Sequence, residues 1–170
     1  MYFATIQQFH KVLGNLDAVL GKAEAFAESR KFSPDNYLAL RLAPDMLPFL
    51  VQIRIACDGP KGLAAALAGQ VAPKHEDNET TFADVRGRIA KCRAYLASFT
   101  PADFAHVTAT TLVPIAYPPN KAMYAEEAVI GRFTPNFYFH VTTAYDLLRH
   151  AGVELGKADY LGELQFLDRP

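Results

Sequence analysis

The chain has 170 residues, a length for one domain, and 51% of them are hydrophobic, with 12 Phe and 8 Tyr, so it buries a core and is not disordered. Seventeen basic and eighteen acidic residues leave a net charge of −1, and no run of Lys or Arg marks a nucleic-acid or anionic-lipid surface. No window approaches the roughly eighteen apolar residues of a membrane span, and the two lone cysteines, Cys57 and Cys92, form neither a CxxC nor a zinc spacing, which suits a reducing cytoplasm.

The start, MYFATIQQFHKVLGNLDAVLGKAEAF, lacks a basic n-region, an unbroken apolar core and a cleavage site, so no secretory signal is expected. Over residues 3–30, Ile6, Phe9, Leu13, Leu16, Leu20, Ala23 and Ala27 alternate steps of three and four, the stripe of an amphipathic helix. A second helix is expected over 44–58. Its entry holds two prolines, Pro44 and Pro48, and both are tolerable near a helix start, where the first N–H groups have no helical partner. Asp45 then falls in the first turn, where a carboxylate complements the helix dipole. Gly59-Pro60 is expected to break the chain, with a short helix from Leu63 ended by Gly69.

PKHEDNETT, residues 73–81, reads as a solvated polar loop. Thr81 with Asp84 then resembles a capping box opening a third helix over 82–99. Residues 106–113 are β-branched and alternating, which predicts a strand. Tyr117-Pro-Pro-Asn120 is a turn, and 123–130 is expected to return as a second strand or extended arm.

GRFTPNFYFHVTTAYDLLRHAG, residues 131–152, predicts a central helix over 134–151. Thr134 is its candidate cap, Pro135 suits its first position, and Gly152 suits its left-handed exit. One apolar stripe joins Phe137, Val141, Ala144 and Leu148. A second joins Asn136, His140, Thr143 and Leu147, so Asn136 and His140 are expected to point inward, four residues apart on one face. Buried polar groups need partners, and this pair is the chain's one hint of chemistry.

RLAPDMLP, EDNETTF and PNFYFHVTTAYDLLRHAGVELGKADYLG resemble the DinB/YfiT-like superfamily, in particular an uncharacterised domain-of-unknown-function branch of it. The likeness spans the whole chain as a single domain, 1–170. It implies an all-α, DinB-like four-helix bundle with a short β-hairpin or extended arm inserted before the fourth helix. Members of that superfamily place one histidine on the second helix and a His-x3-His pair on the fourth around a nickel- or zinc-like ion. By this resemblance His140 occupies the second position of the pair, Asn136 the first, and Asp45 that of the second-helix histidine.

With two of three histidines replaced, the resemblance leaves two readings. In one, Asp45, Asn136 and His140 form a degenerate metal site or a metal-free hydrogen-bond group in a non-catalytic or small-ligand-binding homodimer. In the other, the protein is a metal- and thiol-dependent transferase or isomerase. His140 would then be ligand or general base, Asp45 ligand or orienter, and Asn136 polariser. The expected location is cytoplasmic, with no nucleic-acid or membrane partner.

Overall fold

Ile6, Phe9, Leu13, Leu16, Leu20, Ala23 and Ala27 all lie on the buried face of α1 (Tyr2–Ser29). The computed structural model describes residues 1–169, and it packs α1 against α2 (Phe49–Leu67), α3 (Phe82–Ala97) and α5 (Thr134–His150). This is the expected helical bundle with a short antiparallel hairpin ahead of the last long helix. Phenylalanine fills its centre. Phe9 meets Phe137 with ring centroids 4.5 Å apart, and Phe49 stacks on Phe82 at 6.1 Å and 7°. None of the four rings is more than 1% exposed, so each supplies roughly 1.5–3 kcal/mol of apolar burial. Among the described residues no helix is long and apolar enough to cross a membrane.

α2 departs from the expected 44–58 at both ends. Its start is set by Pro48 and not by Pro44. The Pro48 ring drives Leu47 away from helical geometry, and Pro48 itself is extended, at φ −70° and ψ 163°, as the residue before the helix. Residues 43–46 form a separate turn in which Met46 N donates to Ala43 O at 3.0 Å. At the other end the helix continues through Gly59-Pro60, with Pro60 buried inside it. A proline crowds the Cβ of the preceding residue. Gly59 has none, so the helix loses one hydrogen bond and goes on. It stops at Gly69, at φ +67°, where Gln70 N reaches back to Ala65 O at 2.8 Å, a turn that glycine accommodates without strain.

α3 opens on the expected capping box. Asp84 N donates to Thr81 Oγ1 at 3.1 Å, and Thr81 N donates to Asp84 Oδ2 at 2.9 Å. The strands are shorter than expected: β1 is Leu112–Ile115 and β2 is Lys121–Tyr124, with Leu112 opposite Tyr124. Residues 108–111 leave the ladder because their hydroxyls bond locally, Thr108 N donating to Thr111 Oγ1 at 2.9 Å.

From Ala125 onward the chain is helical, not extended. α4 (Ala125–Glu127) passes through a π-helical segment (Ala128–Phe133) into α5 without interruption. Thr134 is therefore no cap: its φ of −65° and ψ of −54° are helical. The wide π turn just ahead of Pro135 makes room for a ring that a regular helix interior would exclude. α5 ends as expected at Gly152, φ +96°, with Val153 N on Leu148 O at 3.1 Å. The chain then docks α6 (Lys157–Leu161) on α1 through a Lys22–Asp159 pair at 2.6 Å.

Two glycines test this course of the backbone in opposite directions. A Cβ at Gly62 meets nothing within 4 Å, so Gly62→Ala should stabilise a continuous α2 by about 0.5–1 kcal/mol. Gly152→Ala should cost about 1–2 kcal/mol at its positive φ. Urea unfolding measures both, and a destabilised Gly62→Ala would mean that α2 ends at Gly59-Pro60.

Candidate functional site

α2 and α5 pack along each other, and each puts one polar side chain into the apolar seam between them. On α2, Gln52 shares the core-facing arc with Phe49, Ile53 and Ala56 and is 1% exposed. On α5, His140 lies among Phe137, Val141 and Ala144 and is 7% exposed. His140 Nδ1 sits 2.6 Å from Gln52 Oε1.

The orientation of the amide follows from its other end. Gln52 Nε2 donates to the Leu47 carbonyl at 2.8 Å, so Oε1 is the atom that faces the ring. An amide oxygen can only accept, so Nδ1 of His140 carries the proton. Burial lowers the pKa of His140, which keeps the ring neutral and leaves Nε2 as a bare lone pair. Nε2 has no hydrogen-bond partner among the described residues, and Phe139 packs edge-on against the ring, with centroids 5.2 Å apart at 89°.

The three residues singled out in the sequence are placed very differently. His140 is inward, as expected. Asn136 is exposed, because the face of α2 opposite it carries glycine: a Cβ built at Gly59 would lie 3.9 Å from Asn136 Nδ2. Asp45 is exposed in the turn that precedes α2, outside the helix whose first turn it was expected to occupy. No hydrogen bond joins Asp45 to Asn136 or His140 among the described residues. The buried partner of the imidazole is Gln52.

Sequence reasoning missed Gln52, although its signal was the same as that of His140: a polar residue at core spacing between Phe49 and Ala56. Residues 73–81 form the expected polar loop, mostly exposed, with Glu79 an exception. The Glu79 side chain is 8% exposed, held by Arg54 Nε at 2.7 Å and Arg88 Nη1 at 2.7 Å. Arg88, 2% exposed, also reaches Asp58 Oδ2 at 2.7 Å. Burial alone would raise the pKa of Glu79, but hydrogen bonds from Arg88 and Arg54 outweigh it and lower it. Lys61 Nζ lies 2.8 Å from Asp58 Oδ1 yet off the line of a hydrogen bond, so that contact is electrostatic only.

The residues around His140 do not fit a nickel or zinc ion. Such ions take imidazole, thiolate or carboxylate donors, usually three or four. The seam offers one free imidazole nitrogen and the Gln52 amide, whose oxygen is already taken. Among the described residues no group of three or more His, Cys, Asp and Glu side chains is placed to hold a metal ion.

A family described as "Domain of unknown function (DUF1993)" matches residues 1–161. The crystal structure of a DinB family member protein from Shewanella denitrificans superimposes with a TM-score of 0.91 at 46% sequence identity, covering 99% of this chain and 95% of that one. No curated protein matches.

The tautomer and its burial give a measurable pair of consequences. Long-range 1H–15N spectra should show His140 protonated at Nδ1 and bare at Nε2 near neutral pH, and the reverse tautomer would break the assignment of the amide. A histidine whose folded pKa is lowered binds fewer protons folded than unfolded. Its contribution is therefore complete above the ordinary histidine value of about 6.5 and is lost as pH falls from there toward the lowered folded value. Burial lowers the pKa of His10 and His75 too, so the comparison must be with a variant. Between pH 7.5 and 5.5 the wild type should lose more stability in urea unfolding than His140→Phe.

Proposed function

The chain belongs to the DUF1993 family within the DinB-like superfamily, and from that premise we propose that it is a non-catalytic, small-ligand-binding dimer in which the superfamily's metal position has become a hydrogen-bonded lock. One observation carries this reading: the 2.6 Å contact of His140 Nδ1 with a Gln52 amide held in orientation by Leu47 O. Where the superfamily has imidazoles on two helices, this pair has an imidazole and an amide that satisfy each other. Gln52 takes the role that the resemblance gave to Asp45. Each polar group removes the desolvation cost of the other, and the pair ties the first turn of α2 to the middle of α5.

Assembly as a homodimer is part of the proposal. Leu112 and Tyr124 face each other across the hairpin and are 62% and 58% exposed, with Ile130 and Phe139 similarly open. Exposed large apolar side chains are the usual composition of a subunit contact.

Calorimetry decides between the lock and the alternative of a metal- and thiol-dependent transferase or isomerase. Tag-free wild-type protein should give no heat of site binding with nickel or zinc. His140→Ala, which strands the Gln52 oxygen, should cost about 2 kcal/mol and lower the melting temperature by roughly 4–8 °C. Stoichiometric, tight nickel or zinc binding that His140→Ala abolishes would overturn the lock and support the enzyme. Separately, light scattering at micromolar concentration should give about twice the 18.7 kDa chain mass; a monomer would remove the dimer from the proposal.

A further inference from the structure

The π-helical segment, the exposed start of α5 and the glycine face of α2 enclose a recess of about 320 Å³, roofed by Pro114 and Ala116 of the hairpin region. Its walls divide by chemistry. Ile55, Phe133, Pro114 and Ala116 make an apolar side, and Arg132, Asn136 and Asp58 supply the polar groups. The volume is at the small end of the range for ligand pockets, about 300–1,000 Å³.

Three features make the recess accessible and electropositive. Gly59 and Gly62 line the α2 side, and a Cβ at Gly62 would meet nothing within 4 Å, so open space reaches the helix backbone. Arg132 and Asn136 are four residues apart and share a face. The amide of Asn136 makes no hydrogen bond among the described residues, and Arg132 donates only once, from Nη2 to Tyr117 O at 2.7 Å. That bond steadies the guanidinium without neutralising it. The charge balance then follows: Arg54, Arg88 and Lys61 are matched by Glu79, Asp77 and Asp58, so Asp58 is compensated, whereas Arg132 has no ion pair among the described residues. A π turn is a common device for aiming side chains at a ligand.

We propose that this recess binds a small monocarboxylate with a short apolar body, its carboxylate taken by Arg132 and Asn136 and its body lying against Ile55 and Phe133. The inference deepens the ligand-binding reading above and rests on it. It does not involve His140 Nε2 or a metal. A guanidinium recognises a carboxylate through charge-assisted hydrogen bonds, and the compensated Asp58 leaves the field positive.

Isovalerate and benzoate are suitable probes, with isovaleramide and benzamide as uncharged counterparts of the same shape. In 1H–15N spectra of the full chain, the acids should give saturable shifts at Gly59, Gly62, Arg132 and Asn136, with a dissociation constant of about 1 mM, as expected for one ionic contact and a small apolar body. The amides should give none. Arg132→Gln should weaken binding by roughly tenfold or more, and Arg132→Lys should restore part of it. Gly62→Leu should fill the recess and abolish it. If Gly62→Leu fails to fold, the map and the Arg132 pair still decide. Equal response to acids and amides, shifts centred elsewhere, binding that survives Arg132→Gln, or no saturable shift up to about 20 mM, well beyond the millimolar regime, would each overturn the proposal. Silent acids together with a silent nickel titration defeat this inference alone. Tight nickel binding through His140 defeats the lock, whatever the acids do.

Discussion

The buried contact between His140 and Gln52 is the constraint on which the arrangement of α2 and α5 turns. An imidazole and a primary amide inside an apolar seam are each costly alone. Together, with Leu47 O taking one of the two amide protons, they satisfy the ring Nδ1–H and the amide oxygen. That economy fixes more than energy. It sets the ring tautomer, and it uses the carbonyl of Leu47, a residue outside the helix. Pro48, which keeps Leu47 out of the helix, is therefore part of the same device.

α2 carries a second polar commitment elsewhere on its surface. Arg54, Asp58 and Lys61 follow one another at helical spacing, and with Arg88 of α3 they hold Glu79 and the loop around it. Buried ionic groups of this kind add little net stability but penalise any arrangement that leaves one of them unpaired. A helix stopped at Gly59-Pro60 would not carry Lys61 beside Asp58, and the burial of Leu63, Ala64 and Leu67 carries α2 on to its end. They also leave the glycine stretch of α2 as the face with no side chain of its own, which is where the recess forms.

Much of the fold was legible in the residues. The 3–4 stripe of α1, the Thr81–Asp84 cap and the Gly152 exit are local signals, and local signals survive packing. The errors came where two local signals competed. Pro44 and Pro48 both suit a helix start, and the restriction that Pro48 puts on Leu47, together with the bond from Gln52 to Leu47 O, favours the later one. Gly59-Pro60 usually ends a helix, yet glycine relieves the clash that makes proline a breaker. Residues 123–130 were expected to return as a second strand or extended arm, but burial of Ala125, Ala128 and Val129 selects a helix from Ala125 onward. The site was legible by half. His140 is legible from its face, and Gln52 carries the same core spacing on α2, whereas Asp45 lies outside that helix. The loop is mostly solvated as expected, and only the burial of Glu79 was not legible, because Glu79 meets Arg54 and Arg88, residues distant in sequence.

His140 and Gln52 act as a pair and not as two separate core side chains. A double-mutant cycle in urea unfolding measures this directly, using His140→Ala, Gln52→Ala and the double variant at pH 7.5. The pair predicts coupling: the double variant should be less destabilised than the sum of the singles by about 1–2 kcal/mol, because each single strands a buried polar group that the double removes. Strict additivity, within about 0.3 kcal/mol, would contradict it.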